Sequence, residues 1–330
     1  EWVPGAKVVY EKFAGYVPRS EPTSAAAGGK IAKVDRVEWI YFPDQTTALN
    51  ALLAGEVDIF EQPANDLIPL LENNPDVVVD IVNPIGNIGF LRFNHLHPPF
   101  DKVEIRRAVL MSIRQEDYMT AAVGDSRYWR TCYSVYPCGT PYANDAGSEI
   151  LQVGDLEKAQ AALQAAGYDG APVVILHPTD IPLLSAFTQV TAERLRRMGM
   201  NVDVQAMDWS TLTSRRAKRE APAEGGWSIF HTWWIGADVI DPTAIAFSGN
   251  PNKGWFGWPA DAELEEARAA FARAQTVEER KMWARKAQER LLAIAASGHI
   301  GQFFTPVAYR KNVRGLIRSP VFFLWNVDKD

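Results

Sequence analysis

The chain has 330 residues, 47% of them hydrophobic and 22% charged, with a formal net charge of −6. This is the composition of an ordinary globular protein with a full core, and the length predicts about two domains. An acidic chain with no basic run beyond Arg215–Arg219 is not expected to bind nucleic acid, and without an apolar run of about 18 residues it has no membrane-spanning helix.

The chain opens on Glu1, and EWVPGAKVVYEKF reads as mid-domain strand sequence rather than a signal peptide. A processed or truncated chain is therefore expected. Val8–Lys12 and Val34–Phe42 are predicted strands. Asp44 is placed to cap a helix through Leu53, and Gly55 to stop it. Val57–Phe60, Val77–Val82 and Ile88–Asn94 follow as strands, with a helix to Glu72 among them; this alternation is that of an α/β lobe. After Pro98-Pro99-Phe100, Asp101 is read as the cap of a helix bearing Val103, Ala108, Val109 and Ile113, and Glu116–Val123 continues as a second helix.

Residues 124–154 read as loop and hold both cysteines, Cys132 and Cys138. Their spacing can close a small disulfide in an oxidising compartment or leave two free thiols; no further metal ligands lie close by. Asp155 opens an amphipathic helix ending at Gly167. Strand Val173–Leu176, helix Leu183–Met198, strand Val202–Gln205, helix Ser210–Arg219 and strand Ser228–Trp234 form a second α/β unit of parallel character. The block Arg215–Arg219 is read as a solvated face. Asp261–Ala274 and Val277–Ala296 are helices, after which His299–Phe304, Val307–Arg310 and the apolar tail Val313–Val327 return to β. A late return to β after a complete lobe suggests one lobe inserted into another.

The densest stretch is Gly226–Pro259, which holds Trp227, Trp233, Trp234, Trp255 and Trp258, with His231 nearby and a lone carboxylate, Asp238, after the strand. Gly236 loosens the backbone before it, and Asp241-Pro242 closes the turn. A carboxylate held among aromatics would attract a cation strongly, and the functional reading is an anchor for a ligand ammonium. The alternative is a core strand with aromatic packing. No nucleophile–base pair or metal set is apparent: G-x-S-x-G, H-E-x-x-H and C-x-x-C are absent, and His95-Leu96-His97 lacks a third ligand. No catalysis, cofactor or metal is expected.

Taken in order, the segments DRVEWIYFPDQTTALNALLAGEVDIFE, GFLRFNHLHPPFDKVEIRRAVLMSIRQEDYM, DLEKAQAALQAAGYDG, MGMNVDVQAMDW, WWIGADVIDPT and GWFGWPADAELEEAR resemble the family 5 extracellular solute-binding proteins, the dipeptide and oligopeptide receptors of bacterial ABC importers. The resemblance implies an α/β fold of two lobes, the Venus-flytrap (type II, cluster C) periplasmic-binding-protein fold, closing on a peptide or other small solute. It implies residues 1–92 and 305–330 in lobe I, 93–304 in lobe II, and part of lobe I missing. It also implies a monomer, a periplasmic location, ABC permease transmembrane subunits as partners, and the oxidising compartment that favours the Cys132–Cys138 disulfide. Counting back from Asp241-Pro242 places the family's ammonium-binding carboxylate on Asp238, although the spacing from Trp234 is about one residue longer than in well-known peptide binders. Arg216, seven residues after Trp209, falls where some oligopeptide binders carry an arginine near the ligand, with Arg215 as the other register. Trp233, Trp234, Trp255 and His231 complete the expected ligand-binding set. An oligosaccharide or other small solute is the alternative ligand, and a peptide hydrolase the alternative class.

Overall fold

A computed structural model describes all residues, 1–330. The chain divides into two compact units, one of Glu1–Gly86 with Phe304–Asp330, the other of Asn87–Phe303. The first boundary falls earlier than the expected 92/93. The reason is the strand Asn87–Phe93, which is buried at every position and pairs along both edges inside the second unit.

The first unit carries an antiparallel sheet of Trp2–Val3, Lys7–Glu11 and Arg36–Ile40, and another in which Val307–Arg310 lies between Ile59–Phe60 and Val77–Asp80. Its helix Gln45–Ala54 starts where Asp44 accepts from the Thr47 amide at 2.7 Å and stops at Gly55, whose φ of 78° suits a residue without Cβ. The tail is not the continuous β segment expected. It pairs only at Val313–Arg314 with Asp328–Lys329, and between them it is held by single contacts, such as Ser319 N–H to Val82 O and Trp325 Nε1 to Ala25 O. Apolar content there reflects packing onto the unit, not a ladder.

The second unit is built on β1 (Asn87–Phe93), β2 (Trp129–Arg130), β3 (Val173–Pro178), β4 (Val202–Met207), β5 (Ile229–Ile235) and β6 (Ser297–Phe303). They form one sheet in the order β2-β6-β1-β5-β3-β4. The expected parallel character holds only for β5/β3 and β3/β4; β1 runs antiparallel to both β5 and β6. The sequence shows each strand's hydrophobicity but not that residues 297–303 return beside β1. The helices are α1 (Val103–Ser112), α2 (Gln115–Ala122), α3 (Leu156–Ala165), α4 (Pro182–Arg197), α5 (Trp209–Arg215), α6 (Ala262–Arg273) and α7 (Val277–Ala293).

Asp155 caps α3 as read, accepting from the Glu157 and Lys158 amides. Asp101 does not cap α1: Lys102 is the N-cap and no side chain bonds there. Arg106 of α1 serves another helix end: its guanidinium donates to Ile294 O and Ala295 O, fixing the carbonyl end of α7, and to Phe100 O. Cys132 and Cys138 are disulfide-bonded, Cα to Cα 5.7 Å, in the loop after β2.

Candidate ligand-binding site

The side chains of β5 alternate. Phe230 and Trp234 point to one side of the sheet, His231 and Trp233 to the other, towards α4. Trp233 lies opposite Gly89, over which a Cβ would meet Ile300 and Phe187 of the α4 side. So the structure separates Trp233 from Trp234, although the sequence places them side by side.

His231 is fully buried. Its Nε2 meets Thr191 Oγ1 at 2.8 Å and its Nδ1 meets Thr188 Oγ1 at 3.2 Å, both on α4. Burial, and then the nearby His177, push its pKa down to about 3, so the ring is neutral in the fold. With both nitrogens engaged it is a core residue. The expectation that it joins the ligand set is corrected by this packing; its nearness in sequence to Asp238 was the signal, and strand alternation turned it away.

On the Phe230 side the aromatics converge. Trp255 stands edge-on to Trp234 at 5.0 Å and to Phe230 at 5.4 Å between centroids. Beneath them Trp227 and Phe230 pack with Val174, Leu176, Leu212 and Trp258 in one buried cluster. Arg216 enters this cluster from the end of α5. Its guanidinium carbon lies 4.9 Å from the Phe256 ring centroid, 5.3 Å from Trp209, 5.5 Å from Trp255 and 5.7 Å from Phe230. The reading of Arg215–Arg219 as a solvated face is thus overturned for its first half. Arg215 donates to Gly225 O and Gly226 O, and Arg216 is half-buried against rings. The helix ends at Arg215, not Arg219, so the block wraps inward as a turn.

Two features of this side were not singled out from the sequence. Arg92, one residue before the end of β1, is fully buried, with its guanidinium 5.4 Å from the Trp255 centroid. It donates from Nε to Phe256 O at 2.6 Å and from Nη1 to Ala246 O at 3.1 Å, tying down the loop that carries Trp255. Burial pushes its pKa down to about 9. An arginine in an otherwise apolar strand, FLRFN, was the available signal. Gly257, with φ +98°, lets the same loop cross Arg92; a Cβ there would sit 2.4 Å from Phe93 O.

Asp238 lies in a 3-10 turn, Gly236–Val239, in which Gly236 and Val239 are buried and Asp238 itself is exposed. The low-dielectric seat among aromatics is therefore not what the fold provides. The turn buries its apolar members and puts the carboxylate in water. Asp241 Oδ1 accepts from Thr243 N–H and Oγ1, closing the following turn as read. The site thus brings Trp234, Trp255 and Arg216 together, leaves Asp238 at the surface beyond the end of β5, and sets Trp233 and His231 on the other face.

The family model described as bacterial extracellular solute-binding proteins, family 5 (middle), matches residues 1–255. The "Probable peptide ABC transporter periplasmic-binding protein y4tO" of Sinorhizobium fredii is 37% identical over 330 residues, covering 99% of this chain and 62% of the relative. The chain therefore spans less than two thirds of that relative's length. Among solved structures, AgaA of A. tumefaciens in complex with agropinic acid superposes with a TM-score of 0.79 at 18% identity, over 100% of this chain and 66% of its own. DppA of Helicobacter pylori in complex with the peptide STSA gives 0.77 at 18% identity, over 100% and 61%. At these identities the two structures establish the periplasmic-binding-protein fold and nothing further.

Proposed function

The chain belongs to the bacterial extracellular solute-binding proteins of family 5, and from that premise we propose that it is the larger part of a peptide receptor feeding an ABC importer. In this reading the full receptor works outside the cytoplasmic membrane, captures a di- or oligopeptide, and hands it to the transmembrane permease subunits. It does so as a monomer and without catalytic turnover. No helix of the chain is long and apolar enough to cross a membrane, in keeping with a receptor that meets its permease from outside.

The observation that carries the proposal is the carboxylate of Asp238, exposed and without a protein partner just beyond a strand whose last residues are Trp233-Trp234-Ile235; the resemblance gives this position to the family's ammonium-binding carboxylate. An unpaired surface acid costs the fold nothing and is available to a ligand. Trp234 and Trp255 supply apolar wall area, and Arg216 a fixed cation. Main-chain recognition of an extended peptide would add affinity with little side-chain selection. Trp233 is kept in the proposal only as a wall of the opposite face, and His231 is left out of it.

The test is calorimetry on the receptor carried on its full chain. A free-amine tripeptide is compared with its N-acetyl form, on wild type and Asp238→Ala. Losing one partner of a charge pair that becomes buried costs about 3–5 kcal/mol, or roughly two to three orders of magnitude in affinity. Equal affinity of both proteins for the free-amine peptide would remove Asp238 from the site. A cello-oligosaccharide series in the same assay covers the alternative solute, since stacked indoles also suit sugar rings. Saturable peptide hydrolysis would refute the receptor reading itself.

A further inference from the structure

Asp238 makes no hydrogen bond or ion pair, so its place is set by the backbone on either side of it. On the N-terminal side that backbone is fixed by the ladder, where Ile235 pairs with Asn87 of β1. Within the turn, Val239 is fully buried. On the C-terminal side the chain has left the sheet, and one side chain of α6 holds it.

Arg268 uses all three guanidinium nitrogens there. Its Nε donates to Pro242 O at 2.8 Å, its Nη2 to Thr243 O at 3.2 Å and Ala244 O at 3.1 Å, and its Nη1 to Glu265 Oε1. Three successive carbonyls thus face one planar cation. Glu265, one turn earlier on α6, carries the grip further along the loop: the same Oε1 accepts from Gly249 N–H at 2.7 Å and from Ser248 Oγ at 3.2 Å. The Arg268 side chain is only 13% exposed, so these bonds are largely shielded from water. A lysine ammonium is a compact point charge and cannot present donors in this fixed fork. The Trp255 end of the loop is fastened separately, through Arg92 to Phe256 O and through the His95 amide to Gly257 O.

An acid that must meet a ligand gains from being fixed beforehand, because a turn already ordered in the free protein loses little further entropy on binding. A turn tied only to its strand would have to be ordered by the ligand itself. Resting on the peptide reading above, we propose that Arg268 is a positioning residue for peptide capture, its clamp on Pro242, Thr243 and Ala244 fixing the turn that presents Asp238 to the ligand ammonium. The consequence is one of selectivity. Loosening the clamp weakens peptides with a free amino terminus and spares N-blocked ones, since only the former use Asp238.

Backbone amide relaxation on the chain tests the clamp without a ligand. In Arg268→Met the order parameters of Asp238 and Thr243 should fall from about 0.85 to below about 0.6, while that of Gly257 stays at the wild-type value. Unchanged order at Asp238 and Thr243 overturns the proposal. Calorimetry with Ala-Ala-Ala and N-acetyl-Ala-Ala-Ala, on the receptor carried on its full chain, then reads the ratio of the two affinities. Arg268→Met should lower that ratio about tenfold, the order expected when one backbone residue must be fixed again on binding. Arg268→Lys keeps a charge beside Glu265 but not the fork, and should fall between the two; it carries the test if Arg268→Met does not fold, as near-ultraviolet circular dichroism verifies. Gln288→Leu removes buried hydrogen bonds in the disulfide loop and should keep the wild-type ratio. In an Asp238→Ala background, Arg268→Met should weaken the free-amine peptide no further. A wild-type ratio in Arg268→Met or Arg268→Lys, a Gln288→Leu ratio lowered as far as that of Arg268→Met, or strict additivity with Asp238→Ala overturns the positioning role and leaves the peptide reading standing. A wild-type receptor that binds neither peptide, or both equally, fails at that reading instead and takes this inference with it.

Discussion

At the scale of single residues, the loop carrying Trp255 depends on one glycine and one arginine. Gly257 holds φ +98°, and any Cβ there would approach Phe93 O to 2.4 Å and Arg92 Nε to 2.8 Å. The first of these is rigid backbone and cannot yield. Gly257→Ala should therefore combine left-handed strain of about 1–2 kcal/mol with displacement of the loop. The expected outcome is a loss of at least about 2 kcal/mol in denaturant unfolding and a red shift of tryptophan emission. An alanine variant with unchanged emission and midpoint would mean that the loop can reroute around Arg92. Asp238 illustrates the opposite case. Its exposed side chain makes no hydrogen bond or ion pair within the protein, so Asp238→Ala should leave stability unchanged within about 0.5 kcal/mol while removing the proposed ammonium contact.

At the scale of elements, α7 organises the disulfide loop through one side chain. Gln288 is fully buried and uses its whole amide. Oε1 accepts from Ser134 Oγ and Val135 N–H, and Nε2 donates to Asn144 O and Ala146 O. Gln288→Leu leaves several buried partners bare at about 1–3 kcal/mol each, so a loss of about 3 kcal/mol is expected. The Cys132–Cys138 link constrains the same loop, and a short loop closure is worth about 2–3 kcal/mol. Reducing the disulfide in the Gln288→Leu protein should therefore cost a different amount than in wild type, because the two act on one segment. Strict additivity in a denaturation cycle would show that they act independently.

The same scale shows what the sequence makes legible. Helix limits set by local chemistry are readable: Asp44 with Gly55, Asp155, and Thr276, whose capping box with Glu279 starts α7. Strand identity is readable from hydrophobic runs. Pairing is not, since β1 lies between β5 and β6, both far away in sequence, and only long-range packing selects that order. The site divides likewise. The richness of the Gly226–Pro259 stretch is visible, but strand alternation decides that Trp234 joins Arg216 and Trp255 while His231 and Trp233 face α4. Arg92 shows in the sequence only as one cation in an apolar strand, a signal without periodicity.

At the scale of the whole molecule, the two units differ in how they meet acid. All five histidines, His95, His97, His177, His231 and His299, lie in the Asn87–Phe303 unit. His231 and His299 are fully buried, and burial pushes each down to about 3 from an ordinary value of 6.5; for His299 the nearby Arg92 adds to this. Both are therefore neutral in the fold at pH values where the unfolded chain is protonated. The unfolded state then binds more protons, so stability rises with pH. This contribution is fully present above pH 6.5 and is lost as pH falls towards about 3. For each such histidine the slope approaches about 1.4 kcal/mol per pH unit in that window. The other unit has no histidine, so its acid sensitivity rests on carboxylates, which titrate lower. Between pH 7 and pH 5, hydrogen-exchange protection in β1 and β5 should drop more than that in Val77–Asp80 and Val307–Arg310, after correction for intrinsic rates. His231→Gln, which retains an amide for the two threonines, combined with His299→Phe, which suits the neighbouring Phe90 and Phe247 rings, should flatten the pH dependence of the larger unit. If the double variant keeps the wild-type slope, His231 and His299 are not the source of its acid lability, and His95, which burial and then the nearby Arg106 and Arg92 also hold well below its ordinary value, takes their place.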